Sequence, residues 1–167
     1  NGMLAAVHKH ENHIAIHLID LDRFKAINDT LGHPIGDKLL KEVASKLCGV
    51  IAPDDIITRF GGDEFVVLQT ATEQQENAKH LAQRLASAPP KPFEIDGHRI
   101  DIGASIGIAM APVDGIDADQ LLKKADMALY AAKKSGGGNH CFFAAEMEEA
   151  VQARRILELD LRDALAS

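Results

Sequence analysis

The sequence predicts an α+β domain, with a mixed β-sheet and helices packed against it. Short apolar runs typical of strands alternate with longer amphipathic stretches typical of helices. Two pairs of the short runs are joined by turns of hairpin length, whereas the other connections are long enough for crossovers. A mixture of hairpins and crossovers favours an α+β sheet over a doubly wound parallel fold.

The composition narrows the possible partners. The chain has 167 residues, about the size of one domain, and its formal net charge is -7. Because an acidic surface repels phosphates, and because only 4% of the residues are aromatic, we expect no nucleic-acid partner. No apolar run approaches the roughly 18 residues that a membrane span needs. We therefore expect no membrane contact in this segment and a cytoplasmic location, while the parent protein could still be membrane-anchored.

The first half of the chain predicts one buried strand and two helices. Residues 14–20 are apolar on both faces, as in a strand at the middle of a sheet. Asp22 is a suitable cap for a short helix over residues 22–28. An amphipathic pattern predicts a helix over residues 37–51. The loop before that helix is indicated by Gly32, Pro34 and Gly36.

Two hairpins are predicted in the second half. Residues 56–60 and 63–69 flank Gly61-Gly62, a typical tight turn between strands. The second hairpin turns at Asp96-Gly97. The remaining predicted elements are a helix over 73–87, hairpin strands over 93–96 and 99–110, a helix over 117–134 and a strand over 140–143.

The two ends of the chain suggest a piece of a larger protein. Residues 3–10 are consistent with the end of a helix, and the chain begins at Asn1 without a starting methionine. From Ala144 onward apolar residues recur at helical spacing, which predicts a long amphipathic helix. We therefore expect a domain over residues 1–143, truncated at its start, and a linker helix over residues 144–167.

Two acidic clusters are the candidates for chemistry. Asp20-Leu21-Asp22 follows the buried strand, and Asp63-Glu64 follows the glycine turn. If the hairpin pairs beside the first strand, Asp20 and Asp63 converge, and carboxylates forced together repel unless a cation neutralises them. Oxygen ligands of this kind suit Mg²⁺ that holds a nucleotide phosphate. The alternative is that these acids are solvated turn residues.

The second cluster lies in a recognisable motif. The stretch Arg59–Phe65 contains the letters GGDEF, and the chain resembles the GGDEF family of diguanylate cyclases. The resemblance covers residues from about 14 to 143. Three other blocks occur in the family's order, namely Asp20–Lys25 with Asn28-Asp29, Gly32–Asp37 with Leu40, and Asp126–Lys133.

The resemblance implies a fold and an activity. The fold is the nucleotide-cyclase or polymerase-palm architecture, which is ferredoxin-like. The activity is the joining of two GTP molecules into cyclic di-GMP with release of two pyrophosphates, as a bacterial second messenger. It needs Mg²⁺ or Mn²⁺ and a homodimer in which each subunit holds one GTP.

The same resemblance implies roles for individual residues. Asp20, Asp63 and the backbone carbonyl of Leu21 would be metal ligands. Asp63 and Glu64 would be catalytic, with Glu64 assisting either metal binding or deprotonation of the attacking 3′-hydroxyl. The implied substrate-binding residues are Phe24 and Lys25 with their backbone amides at the phosphates, Lys133 as a second phosphate-neutralising lysine, Asn28 and Asp37 at the guanine edge, and Leu40 beside the base.

Two departures from the family pattern concern product inhibition and the strength of catalysis. The family's inhibitory Arg-x-x-Asp site matches Ala52–Asp55, which lacks the arginine and keeps only Asp55. Gly137 stands where the family has an arginine that reaches a phosphate, and we expect Lys134 or the amides of the Gly136–Gly138 loop to compensate partly for its loss. An alternative function is therefore a catalytically weak GTP-binding domain that regulates a neighbour.

The tail also resembles a known arrangement. Residues 147–165 are similar to the helix that leads from a GGDEF domain into an EAL phosphodiesterase domain. We expect an EAL domain to follow in the parent chain, and the apolar stripe of the helix to pack on the GGDEF domain or on that partner.

Overall fold

The computed structural model describes residues 13–70, 75–89 and 91–166 and confirms the α+β class. The predicted helix over residues 3–10 lies outside the described residues. The elements are β1 (Ile14–Leu21), α1 (Phe24–Leu31), α2 (His33–Cys48), β2 (Ile56–Gly61), β3 (Glu64–Gln69), α3 (Gln75–Ser87), β4 (Phe93–Ile95), β5 (His98–Ile100), β6 (Ala104–Ala111), α4 (Ala118–Lys134), β7 (His140–Phe142) and α5 (Ala145–Ala166).

Strand β1 lies at the centre of a five-stranded sheet of order β2-β3-β1-β6-β7. It pairs antiparallel with β3 on one side and with β6 on the other, and β6 pairs parallel with β7. The sheet is therefore mixed, as predicted. All eight residues of β1 are buried, which explains why its sequence is apolar on both faces.

Helices cover both faces of the sheet. The larger apolar cluster lies under α2 and α3, with Val43 and Leu85 among its fully buried members. The second cluster lies under α4 and includes Leu121. Helix α4 packs so closely on β6 that a Cβ atom at Gly107 would lie 2.0 Å from the carbonyl oxygen of Ala125. Glycine is therefore required at this crossing.

The prediction of the second hairpin is wrong for its second strand. Instead of one strand over 99–110, the short β5 pairs with β4 in a separate two-stranded sheet, and β6 begins at Ala104 in the main sheet. Ile100 and Ile102 are both buried on either side of the break. The apolar pattern continues across residues 101–103, so periodicity could not reveal where the chain changes sheets.

Helix α2 begins four residues earlier than predicted, at His33, and ends at Cys48. Pro34 lies in its first turn, where a missing N–H costs no helical hydrogen bond. Gly36 is buried inside the helix instead of marking a loop. Proline and glycine at this site therefore belong to the start of the helix.

The long C-terminal helix α5 has no buried residue. It contacts α4 through Arg154, whose Nη1 donates to Tyr130 Oη at 2.8 Å and whose Nε donates to Glu158 at 2.9 Å. The expected packing of its apolar stripe on the domain is not observed, because Leu157 and Leu161 are 68% and 59% exposed. None of the described helices combines the length and apolar character needed to cross a bilayer.

Strand β1 contains an unusual core residue, His17, which is fully buried. Its Nε2 donates to Oε1 of Gln69 at 3.0 Å, while its Nδ1 has no hydrogen-bond partner in the part of the chain that the structure describes. Burial disfavours the charged imidazolium and lowers the pKa of His17 from 6.5 to about 4. The folded protein therefore holds this histidine neutral.

This depressed pKa predicts acid sensitivity. The unfolded chain binds a proton at His17 near pH 6.5 and the folded chain only near pH 4, so stability is lost as the pH falls between these values. We expect His17 to lower the free energy of unfolding by about 2 kcal/mol between roughly pH 7.5 and 5. Urea denaturation across this range measures the effect. His17→Gln, which does not titrate, should have a shallower pH slope, and equal slopes would contradict the assignment.

Candidate functional site

The end of β1 meets the turn of the β2–β3 hairpin. Asp20 pairs with Glu64 in the β1–β3 register. The amide of Leu21 donates to the carbonyl oxygen of Asp63 at 3.3 Å. The hairpin therefore pairs beside the first strand, and the two acidic clusters that are far apart in sequence lie at one place.

The peptide between Leu21 and Asp22 has a defined direction. The amide of Asp22 donates to the carbonyl oxygen of Gly103 in the segment before β6, at 2.9 Å. In a trans peptide the carbonyl points opposite to the amide hydrogen. The carbonyl of Leu21 is therefore directed toward the β3 side, where Asp63 lies. This is the orientation that the predicted metal ligand needs.

The carboxylates of the site carry an excess of negative charge. Asp20 is only 8% exposed, and burial raises its pKa, as do the nearby Asp63 and Asp22. Nζ of Lys133, 2.8 Å from Oδ2 of Asp20, opposes this shift. The pKa of Glu64 is raised as well, first by burial and then by Asp20. A cation at this place would stabilise the ionised carboxylates.

The residues present fit Mg²⁺ that arrives with a phosphate. Within the part of the chain that the structure describes, no group of three or more His, Cys, Asp or Glu side chains can hold a metal ion by itself. Mg²⁺ in proteins is typically bound by one or two carboxylates, with substrate phosphates and water completing its shell. Asp20, Asp63 and the Leu21 carbonyl provide such a partial set of oxygens.

A cleft of about 470 Å³ lies between α2 and the β2–β3 hairpin. Asp37 and Leu40, two of the predicted base-binding residues, line it together with Arg59 and Phe65. Leu40 is buried and Asp37 is exposed. The cleft thus offers an apolar wall and a carboxylate, which is a suitable combination for a nucleobase.

Asn28 does not line this cleft, but its amide lies against α2. A Cβ atom at Gly36 would be 1.8 Å from Oδ1 of Asn28, so only glycine permits this approach. Oδ1 of Asn28 is buried and accepts no hydrogen bond from the described residues. This acceptor lies against Gly36, the residue before Asp37, and a hydrogen-bond donor of a ligand would satisfy it.

The predicted phosphate contacts lie at the start of α1. Phe24 and Lys25 are its first residues, and the first amides of a helix have no acceptor within the helix, which favours anions. Lys25 is exposed. The predicted cap is wrong, because Arg23 precedes the helix at φ 60 with no side-chain cap, and the Asp22 carboxylate is bonded elsewhere.

The glycine loop after α4 does not present free amides. The amides of Gly136, Gly137 and Gly138 donate to the carbonyl of Lys133, the carbonyl of Ala132 and the carboxylate of Asp22, respectively. The loop therefore does not replace the missing arginine as a phosphate donor. Gly137 has φ 74, and a Cβ atom there would lie 3.2 Å from the Asp22 carboxylate, so an arginine at this position would be strained.

Asp55, the remaining residue of the predicted inhibitory site, has a structural role. Its carboxylate accepts from the amide of Ala52 at 3.1 Å and from the amide of Thr70 at 3.0 Å. These bonds close the turn before β2 and tie it to the end of β3. Ala52, where the family has arginine, is exposed.

Two hydrogen bonds near the site were not predicted from the sequence. Nε of Arg59 donates to the carbonyl of Gly62 at 2.9 Å and so holds the turn that carries Asp63. The β2–β3 register shifts between Arg59 and Gly61, and Phe60 is 58% exposed there. The second is a bond between Asp22 and Ser105, which are 83 positions apart, and no local pattern indicates it.

Comparison with known proteins identifies similar chains. A family model described as diguanylate cyclase, GGDEF domain, matches residues 2–139. MucR of Pseudomonas aeruginosa, a bifunctional diguanylate cyclase/cyclic di-GMP phosphodiesterase, is 43% identical over 155 residues, which are 93% of this chain and 22% of MucR. PdeR of Escherichia coli, a cyclic di-GMP phosphodiesterase, is 36% identical over 158 residues, which are 95% of this chain and 24% of PdeR.

A solved structure is similar over most of the chain. The GGDEF domain of TpbB (YfiN) from Pseudomonas aeruginosa has a TM-score of 0.83 at 33% identity, covering 89% of this chain and 87% of that domain. This chain spans less than a quarter of the length of MucR and PdeR, at 22% and 24%.

Proposed function

The chain belongs to the GGDEF family of diguanylate cyclase domains, and we propose that it condenses two GTP molecules into cyclic di-GMP. The observation that carries the proposal is the junction of β1 with the hairpin turn. There the register and the Leu21–Asp63 hydrogen bond bring Asp20, Asp63 and Glu64 together with a directed carbonyl. This is an oxygen-rich, negatively charged site of the kind that metal-dependent phosphoryl transfer requires.

In this proposal Asp20, Asp63 and the Leu21 carbonyl hold Mg²⁺ or Mn²⁺. The metal, when bound, supplies charge stabilisation for the attacking and leaving oxygens. The terminal phosphates bind at the amides of Phe24 and Lys25, where the helix terminus favours anions. The side chains of Lys25 and Lys133 add positive charge to an otherwise acidic site, which lets an acidic protein bind a triphosphate.

Guanine selectivity follows from two acceptors. The unsatisfied Oδ1 of Asn28 and the carboxylate of Asp37 accept from the N1–H and the exocyclic amine of guanine. Adenine lacks donors at both positions and would leave these acceptors unpaired, which costs affinity. Leu40 packs beside the base as part of the cleft wall.

The reaction needs two copies of the chain, each with one GTP. The 3′-hydroxyl of one GTP attacks the α-phosphorus of the other, a new P–O bond forms, and the bond to the β-phosphate oxygen breaks to release pyrophosphate. We assign Glu64 to accept the hydroxyl proton, since it is the carboxylate next to Asp63 at the end of the hairpin turn. The second GTP reacts in the same way, which closes the ring.

Asp63→Asn tests the proposal directly. The substitution keeps the size of the side chain and removes the charge that holds the metal, so we expect turnover to fall at least about a hundredfold with the fold unchanged. Products from GTP and Mg²⁺ are resolved by mass spectrometry, and circular dichroism checks the fold. Asp119→Asn, at an exposed position of α4, is the control. Near-normal turnover by Asp63→Asn would refute the metal assignment.

The second candidate function is a catalytically weak GTP-binding domain that regulates an attached EAL phosphodiesterase domain. Gly137 in place of arginine and the engaged amides of the glycine loop both favour it. PdeR, a similar chain, is named a phosphodiesterase. The same assay separates the two functions, because tight GTP binding without cyclic product supports the regulatory role.

Product inhibition is expected to be weak. No arginine is present at position 52 to pair with the product, and the Asp55 carboxylate is bonded to two backbone amides. We expect Asp55→Ala to lower the free energy of unfolding by about 1–2 kcal/mol and to leave cyclic di-GMP binding unchanged. Asp54→Ala, next to it, is the control. Submicromolar product binding that depends on Asp55 would contradict this expectation.

We also propose that residues 1–143 form the cyclase domain and that 144–167 lead toward an EAL domain in a cytoplasmic part of the parent protein. The exposed apolar residues of α5 support this proposal, because such a helix is suited to contact a neighbouring domain. Sequencing the gene beyond the codon for Ser167 tests it. A stop codon directly after that codon would refute the proposal.

A further inference from the structure

The carboxylate of Asp22 joins three segments of the chain. The hydroxyl of Ser105 on β6 donates to its Oδ1 at 2.6 Å. The amide of Gly138, after α4, donates to its Oδ2 at 2.8 Å. The same amide lies 3.3 Å from Oγ of Ser105. Both carboxylate oxygens are therefore engaged within the protein.

Two glycines fit closely around this carboxylate. A Cβ atom at Gly103 would be 2.9 Å from Oδ2 of Asp22, and one at Gly137 would be 3.2 Å from the carboxylate. Any side chain at either position would press on Asp22. The backbone of two separate segments is thus shaped to admit the group, which is more than a surface carboxylate requires.

The hydrogen bonds of Asp22 are linked to the proposed site through Lys133. The loop whose Gly138 is bonded to Asp22 also closes helix α4, since the amide of Gly136 donates to the carbonyl of Lys133 at 3.1 Å. Nζ of Lys133 lies 2.8 Å from Asp20. A loop fixed by Asp22 therefore fixes the end of the helix from which Lys133 extends.

We propose that Asp22 is a positioning residue for the nucleotide site. Its carboxylate anchors the loop over residues 135–138 and thereby holds Lys133 beside Asp20, without itself contacting metal or substrate. This inference rests on the proposed function for its link to GTP, whereas the anchoring itself does not.

Two variants of Asp22 separate positioning from charge. Both Asp22→Ala and Asp22→Asn remove the negative charge. Asparagine keeps an acceptor for the Gly138 amide and a donor for Oγ of Ser105, so it can preserve the anchor. A metal ligand or a charge-dependent role would be lost in both variants alike.

The first measurement is the affinity for a non-hydrolysable GTP analogue with Mg²⁺, by isothermal titration calorimetry. We expect Asp22→Ala to weaken binding at least about tenfold and Asp22→Asn to stay within about threefold of the unmodified chain. Asp119→Asn serves as the control for loss of a carboxylate elsewhere. Equal weakening by alanine and asparagine, or no weakening by alanine, would overturn the proposal.

The second measurement is independent of nucleotide. Amide hydrogen exchange of Gly138, followed by NMR in the free protein, should speed up at least about tenfold in Asp22→Ala and little in Asp22→Asn. If the unmodified chain binds no GTP analogue, the proposed function fails and with it the link to GTP, while this exchange still decides the anchoring. Unchanged exchange in Asp22→Ala would refute the anchor.

A third variant covers the case in which Asp22→Ala does not fold. Ser105→Ala removes one of the two bonds to the carboxylate and leaves Asp22 in place. We expect it to weaken analogue binding about threefold and to speed up Gly138 exchange in parallel. Values equal to those of the unmodified chain in both measurements would overturn the proposal.

Discussion

The position of β1 between two antiparallel neighbours is the constraint on which the rest of the structure depends. Its register is fixed by β3 on one side and by β6 on the other. A slip of one residue would turn every side chain of a fully buried strand to the opposite face, so the register is strongly determined. The residues at the end of the strand, Asp20 to Asp22, therefore lie at one place, between the hairpin turn and the start of β6.

This placement has an electrostatic cost that the surrounding residues offset in different ways. The buried carboxylate of Asp20 is paired with Lys133. The carboxylate of the next acid, Asp22, accepts hydrogen bonds from a hydroxyl and an amide. Two acids separated by one residue thus have different partners, Lys133 for Asp20 and Ser105 with Gly138 for Asp22.

Features that depend on local pattern were predictable from the sequence. The buried strand, the glycine hairpin and the amphipathic helices follow from periodicity and turn chemistry, and the convergence of Asp20 with Asp63 follows from pairing the hairpin beside the strand. The early start of α2 was missed because Pro34 and Gly36 are typical of loops, although here the glycine admits Asn28. The Asp22–Ser105 bond joins residues 83 positions apart, and only the tertiary fold brings them together. The site roles taken from the family resemblance remain predictions.

The bulge in β2 has a consequence for self-association. This strand forms an edge of the sheet and carries the exposed apolar residues Ile56 and Phe60. An edge with a continuous row of amides and carbonyls invites strands from other molecules and can start aggregation. The register shift between Arg59 and Gly61 interrupts that row, and the Arg59 side chain folds across the turn to Gly62. The irregularity that shapes the GGDE turn therefore also makes the edge a poor template for amyloid-like stacking.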